Sequence, residues 1–173
     1  VRSIPSQYPE RRHLLAYLEG GGAVSLECEP AEADVWVQAY GVRRRRLVLG
    51  AESWLGQTPL RRAPLAMGSY RLIIRRAGLP DVYYPVKIGR EEHWDGQLLS
   101  EPVPIYLPTQ EEIDEETCYV PAGWYASGGD PELETSLPHR RIWVDGFFIK
   151  RFPVRMRDYI VFLNDLVQRG LLE

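Results

Sequence analysis

Apolar residues recur with a period of two over most of the first hundred positions and with helical spacing at the end of the chain, and this change predicts much of the architecture. In "VSLECE", Val24, Leu26 and Cys28 face one way while Ser25, Glu27 and Glu29 face the other. "DVWVQAY" follows after Pro30. In "SYRLIIRR", Tyr70, Leu72 and Ile74 point inward, with Arg71 and Arg75 outward. Val82, Tyr84, Val86 and Ile88 align in "VYYPVKI", and Pro85 on the opposite face indicates an edge strand. "VPIYL" closes the set. Short alternating strands between Gly and Pro turns predict a small antiparallel β-sandwich over residues 23–107.

Two other kinds of segment flank this body. Residues 1–22 read as a helical lead-in: Leu14, Leu15 and Leu18 share a stripe, His13 lies on the polar side, and Gly20 to Gly22 end the helix. Residues 108–117 form an acidic, solvated linker, and no Lys or Arg occurs between Pro108 and Pro138. Within residues 118–173, "HRRIWVDGFFIKRFPV" reads as a strand apolar on both sides. Ile142, Val144 and Phe148 fall on one face, Trp143, Phe147 and Ile149 on the other, which requires a larger body than the segment supplies. Met156, Tyr159, Ile160, Leu163 and Val167 then follow helical spacing, Phe162 and Leu166 widen the arc, and Gly170 caps the end. A helix and a few strands cannot close a core alone, so this second unit is expected to be incomplete. The chain is expected to be mainly β with two helices.

Composition narrows the setting. A hydrophobic fraction of 45% with 26% charged residues fits a folded, soluble chain of 173 residues. No apolar run approaches the ~20 residues of a membrane helix, so no membrane partner is expected. The chain opens on Val1 rather than Met, which predicts an upstream segment. A net charge of −3 does not favour nucleic acid. Arg43 to Arg46, between two strand-like runs, read as a solvated hairpin tip, because no second basic cluster or interleaved aromatics accompany them. The only lysines are Lys87 and Lys150, an arginine bias that fits a GC-rich genome. Cys28 and Cys118 are far apart and form neither a zinc nor a disulfide pattern. Cys28 reads as a buried small hydrophobe, and reduced thiols fit a cytoplasmic location.

The most suggestive chemical motif fails on inspection. In "CYVPAGWYASGGDPE", Gly123 and Gly128 have the spacing of a phosphate loop. Gly129 stands where the lysine belongs, Asp130 where the hydroxyl belongs, and Asp130 would repel a phosphate. "HWDG" sets His93 two residues before Asp95, but Asp-Gly is first a turn signal. His139 precedes Arg140 and Arg141, which disfavour a bound cation. No serine elbow, zinc helix or calcium loop occurs. No catalytic, cofactor-binding or metal-binding residue is assigned, and no cofactor is expected.

Two stretches resemble known families. "GQTPLRRAPLAMGSYRL" is similar to the heart of the PEGA domain, a G-x-T-P-L turn followed by G-x-Y-x-L entering a strand. Gly56, Thr58, Pro59 and Leu60 carry the first part, Leu65, Gly68, Tyr70 and Leu72 the second. Upstream, "EPAEADVWV" resembles its P-x-G-A-x-V segment with Glu32 in place of glycine, so the turn there either has negative φ or is strained. The resemblance implies a non-catalytic β-sandwich used for binding or spacing. Residues 118–173 look like the N-terminal entry of the formylglycine-generating-enzyme, or sulfatase-modifying-factor, domain, a variant of the C-type lectin fold. Val120, Pro121, Ala122, Gly123 and Gly128 match its V-P-A-G-x-F-x-M-G run, and Phe148, Ile149, Pro153, Val154, Tyr159 and Phe162 match its next strand and the helix after it. Arg155 and Met156 replace the family's T-N, removing a helix N-cap. On this likeness Gly123 and Gly128 shape a β turn, and Trp124 and Tyr125 pack rather than form a ligand platform.

The order of these parts resembles the region downstream of the kinase domain in some bacterial serine/threonine protein kinases, although no kinase motif occurs in the chain. The expected function is therefore a non-catalytic interaction, ligand-recognition and spacer segment of a larger bacterial signalling protein. Its expected partner is another protein or the remaining C-terminal part of its own domain. The alternative is the N-terminal portion of a formylglycine-generating-type oxidase or related iron enzyme, whose paired cysteines or histidines would lie beyond residue 173. A lectin-like binding protein is a third reading.

Overall fold

The computed structural model describes residues 17–18, 20–99, 101–130 and 132–171. Tyr17 and Leu18 are helical, but most of the expected lead-in helix, with His13, Leu14 and Leu15, lies outside the described residues. Strand β1 (Gly21–Leu26) starts earlier than expected: Gly21 and Gly22 pair with Ala66 and Leu65 instead of ending a helix. A Cβ at Gly22 would collide with Ile88 Cγ2 and the Glu92 carbonyl, so the close approach of the neighbouring segments requires glycine there.

Two sheets enclose one core. In the larger, β3 (Asp34–Arg43), β7 (Gly68–Arg75) and β8 (Val82–Ile88) run antiparallel in that order, while β4 (Arg46–Leu49) and β5 (Ser53–Gln57) share the other edge of β3. In the smaller, β1 lies between β6 (Leu60–Ala66) and β9 (His93–Trp94). The alternation in β8 is fully expressed: Val82, Tyr84, Val86 and Ile88 are buried, their neighbours are exposed, and Pro85 sits on the edge strand opposite Arg71. Leu72, Ile74, Val24 and Val35 fill the space between the sheets. Burial of apolar surface of this kind is the main favourable contribution to folding.

The structure departs from expectation at several points. The body is not wholly antiparallel: β1 pairs parallel with β9, and β2 (Cys28–Glu29) pairs parallel with β12 (Ile105–Tyr106). Each link is two residues long, and long connections allow the direction that a tight hairpin forbids. A small antiparallel pair, β10 (Gln97–Leu98) with β11 (Glu101–Pro102), lies between them in the sequence. Ser25 is buried despite its outward parity, because the β1–β6 register shifts between Val24 and Leu26. Ile73 is also buried, flanked in register by Trp36 and Tyr83, over whose rings Arg75 and Arg71 lie at 5.6 and 4.8 Å. Glu32 has φ 64°, so its turn is the strained alternative.

The expected long strand near the C-terminus is two strands, β15 (Arg140–Val144) and β16 (Phe147–Lys150), broken at Asp145 and Gly146. Asp-Gly turn chemistry outweighs the continuous apolar pattern. β15 pairs with β14 (Gly123–Ser127), and β16 with β13 (Thr117–Val120), so the end of the acidic segment already belongs to a strand. Helix α1 (Met156–Gln168) comes next, with no side-chain hydrogen bond at its N-cap Arg155. At its other end Gly170 has φ 68°, and Leu171 N–H donates to the Leu166 carbonyl at 2.9 Å. No residue of α1 is buried, and Tyr159, Ile160 and Phe162 are about half exposed.

Candidate functional site

Where the second unit meets the β body, aromatic side chains converge. Tyr84 on β8 and Trp94 on β9 contact edge to face with centroids 6.2 Å apart, and Trp124 on β14 meets Trp143 on β15 at 5.4 Å. The Arg141 guanidinium joins the two pairs, 5.6 Å from the Trp94 ring and 5.2 Å from that of Trp124. Cation–π contact of this type is favoured for arginine because its planar, weakly hydrated head stacks on indole. Trp124 also donates its indole N–H to the Gln97 carbonyl at 3.2 Å. Beside this cluster opens a cleft of about 390 Å³, lined by Tyr84, Trp94, Pro121, Trp124, Tyr125 and Phe147 among others. Its size and apolar character fall within the range of small-ligand and peptide pockets.

Polar features of the cleft are sparse. The Trp94 indole N–H is enclosed without an acceptor in hydrogen-bond geometry. It is nevertheless close enough to the Tyr84 hydroxyl to oppose, weakly, the upward pKa shift that burial imposes on that phenol. Trp124 is a packing residue, as the sequence suggests, whereas Tyr125 is largely exposed at the cleft. The contributions of Trp94 and Arg141 are not legible from the chain order, because pairing of distant strands brings them together.

The serine–histidine contact nearby is oriented against nucleophilic catalysis. His93 Nε2 lies 2.7 Å from Ser25 Oγ, and Arg62 Nη1 lies 3.1 Å from His93 Nδ1. A guanidinium can only donate, so Nδ1 accepts and the ring proton sits on Nε2, where it is given to Ser25. Ser25 Oγ accepts a second bond from the Arg62 backbone N–H at 2.9 Å. A nucleophilic serine needs the opposite arrangement, with the imidazole accepting its proton. Asp95 does not join His93. It accepts the Gln97 backbone N–H at 3.2 Å, closing the turn predicted from "HWDG".

The glycine-rich loop directs its backbone donors inward. Gly128 and Gly129 have φ 68° and 83°, and Gly129 N–H donates to the Leu137 carbonyl at 2.8 Å. Asp130 N–H donates to Ser136 Oγ, and Glu132 N–H to Asp130 Oδ1, each at 3.0 Å. The donors that would hold a phosphate are therefore engaged. Cys28 is buried with Sγ 2.9 Å from Thr58 Oγ1, and Cys118 on β13 is half-buried; both are free thiols. Among the described residues, no group of three His, Cys, Asp or Glu is placed to hold a metal ion.

A second recess, of about 690 Å³, lies at the start of α1 between Glu116, Lys150, Phe152, Val154, Arg155 and Asp158. Its charges pair with one another or with the linker: Arg155 with Asp158 at 3.0 Å and Glu116 at 3.5 Å, Lys150 with Asp114 at 3.0 Å. The Thr117 side chain, and then Lys150, hold the Asp114 carboxyl down to about 2. Nearby, burial pushes the Tyr119 phenol up to about 12. Among the described residues no helix is long and apolar enough to cross a membrane. No protein-family profile, curated protein or solved structure matches the chain.

Proposed function

We propose that the chain is a non-catalytic interaction and spacer segment of a larger bacterial signalling protein: a PEGA-like β body followed by the opening part of a sulfatase-modifying-factor-type domain. The observation that carries this reading is the uncovered apolar surface of residues 142–162. Ile142, Phe148, Ile149, Phe152, Tyr159, Ile160 and Phe162 are each at least 43% exposed, on strands and a helix that bring no core of their own. Large apolar side chains left exposed in this number, on elements without a core, mark an interface. The occupant we assign is the remaining part of the same domain, as the resemblance implies; a separate protein partner is the other candidate. The cleft beside Trp94 and Trp124 is the recognition surface of this assembly.

Native-state hydrogen exchange tests the assignment. Amides of α1 should exchange within a few orders of magnitude of the unfolded rate, while those of β7 are protected to the limit of global unfolding. A longer gene product that carries the cover should protect both. Equal protection of α1 and β7 in the present chain would overturn the reading.

A further inference from the structure

The most exposed part of the β body is a hairpin arm. β3 pairs with β7 only as far as Ala39, opposite Tyr70, and from Tyr40 to Arg43 its described ladder partner is β4 alone. The arm stands free of the body: a Cβ added at Gly41 would meet nothing within 4 Å. Cross-strand pairing gives it two distinct faces. Tyr40, Val42, Leu47 and Leu49 share one, and Val48, Arg43 and Arg46 share the other, with Arg44 and Arg45 at the turn. Val42 and Leu47, directly paired, are 77% and 69% exposed.

Three features of this tip are unfavourable for an isolated solvated hairpin. Arg44 and Arg45 have φ 51° and 63°, left-handed backbone that a two-residue turn normally assigns to Asn-Gly. Arg43 and Arg46 stand opposite each other, a like-charge pair that destabilises a ladder. An aliphatic pair faces water. Among the described residues, no carboxylate forms an ion pair with any of the four arginines, and Arg43, Arg44 and Arg46 line an open recess of about 520 Å³ together with Val48. An anionic surface relieves the charge repulsion, and an apolar boundary beneath it takes up the aliphatic pair.

We propose that residues 40–49 dock this chain peripherally on an anionic membrane surface, with the arginines on lipid phosphates and Val42 and Leu47 entering the headgroup boundary. A nucleic acid would engage the guanidiniums and leave both aliphatic side chains in water. An interfacial bilayer accepts both. Lying with its Tyr40, Val42, Leu47 and Leu49 face toward the bilayer, the arm brings the aliphatic pair to the boundary, while the long arginine side chains at the turn and rim reach back to the phosphates. A peripheral contact requires no membrane-spanning helix. Docking of this kind is independent of the proposed function.

Vesicle flotation of the full chain tests it. At about 0.1 M salt the protein should float with phosphatidylcholine vesicles containing roughly 30% phosphatidylserine and not with phosphatidylcholine alone, and binding should fall at about 0.5 M salt. Each arginine near such a surface strengthens partition about fivefold. Arg43→Gln, Arg44→Asn, Arg45→Gly and Arg46→Gln together should therefore weaken it by about two orders of magnitude or more, in a turn that retains its preferred residues. Val42→Ser with Leu47→Ser should weaken binding while preserving its salt dependence. Circular dichroism unchanged from the parent identifies variants that fold. Absence of binding to the anionic vesicles would overturn the proposal. So would unchanged binding by the arginine variant, which would point to the uncovered helix, or tighter tip-dependent binding to a short DNA duplex.

Discussion

Replacing Leu72 with alanine is the sharpest test of where stability resides. Leu72 is 0% exposed in the middle of β7, held in register between Val37 on β3 and Tyr84 on β8. Leucine-to-alanine changes in cores destabilise by about 2–5 kcal/mol, according to how far the surroundings collapse. With neighbouring strands hydrogen-bonded on both sides, collapse is restricted, and we expect a loss of about 3–4 kcal/mol. With a slope of about 2 kcal/mol per molar urea, the unfolding midpoint should fall by about 1.5–2 M. The paired control is Ile160→Ala on α1. Ile160 is 49% exposed, and alanine's helix propensity offsets the lost contact, so the change should stay below about 1 kcal/mol. Urea titration followed by tryptophan fluorescence and far-ultraviolet circular dichroism reads both. Equal losses, or a Leu72→Ala shift equivalent to less than about 1 kcal/mol, would refute the division into a packed body and an uncovered appendage.

Other consequences can be measured in the same way. Glu32→Gly should stabilise the chain by about 1 kcal/mol, because it removes a side chain from a left-handed turn; thermal melting that shows a loss would refute the strain. Thr58→Val should cost about 1–3 kcal/mol, since Thr58 Oγ1 accepts the buried Ala33 N–H at 2.9 Å and valine leaves that donor unpaired. The Asp114 carboxyl, held at about 2 and so below its ordinary value of 3.8, supports the fold above about pH 4 and loses this contribution as the pH falls toward 2. Thr117→Val should raise that pKa in an NMR titration, and an unchanged value would remove Thr117 as its main cause. Tyr119 should ionise only near pH 12 in an ultraviolet absorbance titration, and ionisation near 10 would show that the phenol is not desolvated.

The strands were legible in the sequence wherever one face is buried and the other is wet. β8 is the clearest case, with Val82 to Ile88 alternating buried and exposed along its whole length. Legibility failed where burial is two-sided or register shifts, as at Ile73 between its cross-strand partners Trp36 and Tyr83, or at Ser25 beside the β1–β6 shift. It failed again at Asp145, where a local turn interrupts an apolar run that alternation alone reads as continuous. The stripe of α1 was visible because helical spacing repeats over several turns, but spacing alone does not reveal that none of its residues is buried. The cleft was not visible at all. Its Trp94 comes from a two-residue strand, and Arg141 reaches that ring from a segment nearly fifty positions later in the chain.

The two parallel links between the start and the end of the β body also set how it responds to tension. Its first strands, β1 and β2, are hydrogen-bonded to segments near its exit, β9 and β12, at Ala23 with His93, Val24 with Trp94, Cys28 with Ile105 and Glu29 with Tyr106. A pull on the two ends of a parallel pair displaces the strands along one another, so the bonds bear load together rather than parting one at a time. In a body clasped in this way the entry before β1 and the exit after β12 lie at opposite ends of the parallel run, which is the geometry that loads the clasp in shear. Forced opening is governed by the unfolding rate rather than by equilibrium stability, so these four residue pairs resist the first step by which a pulled body would lengthen.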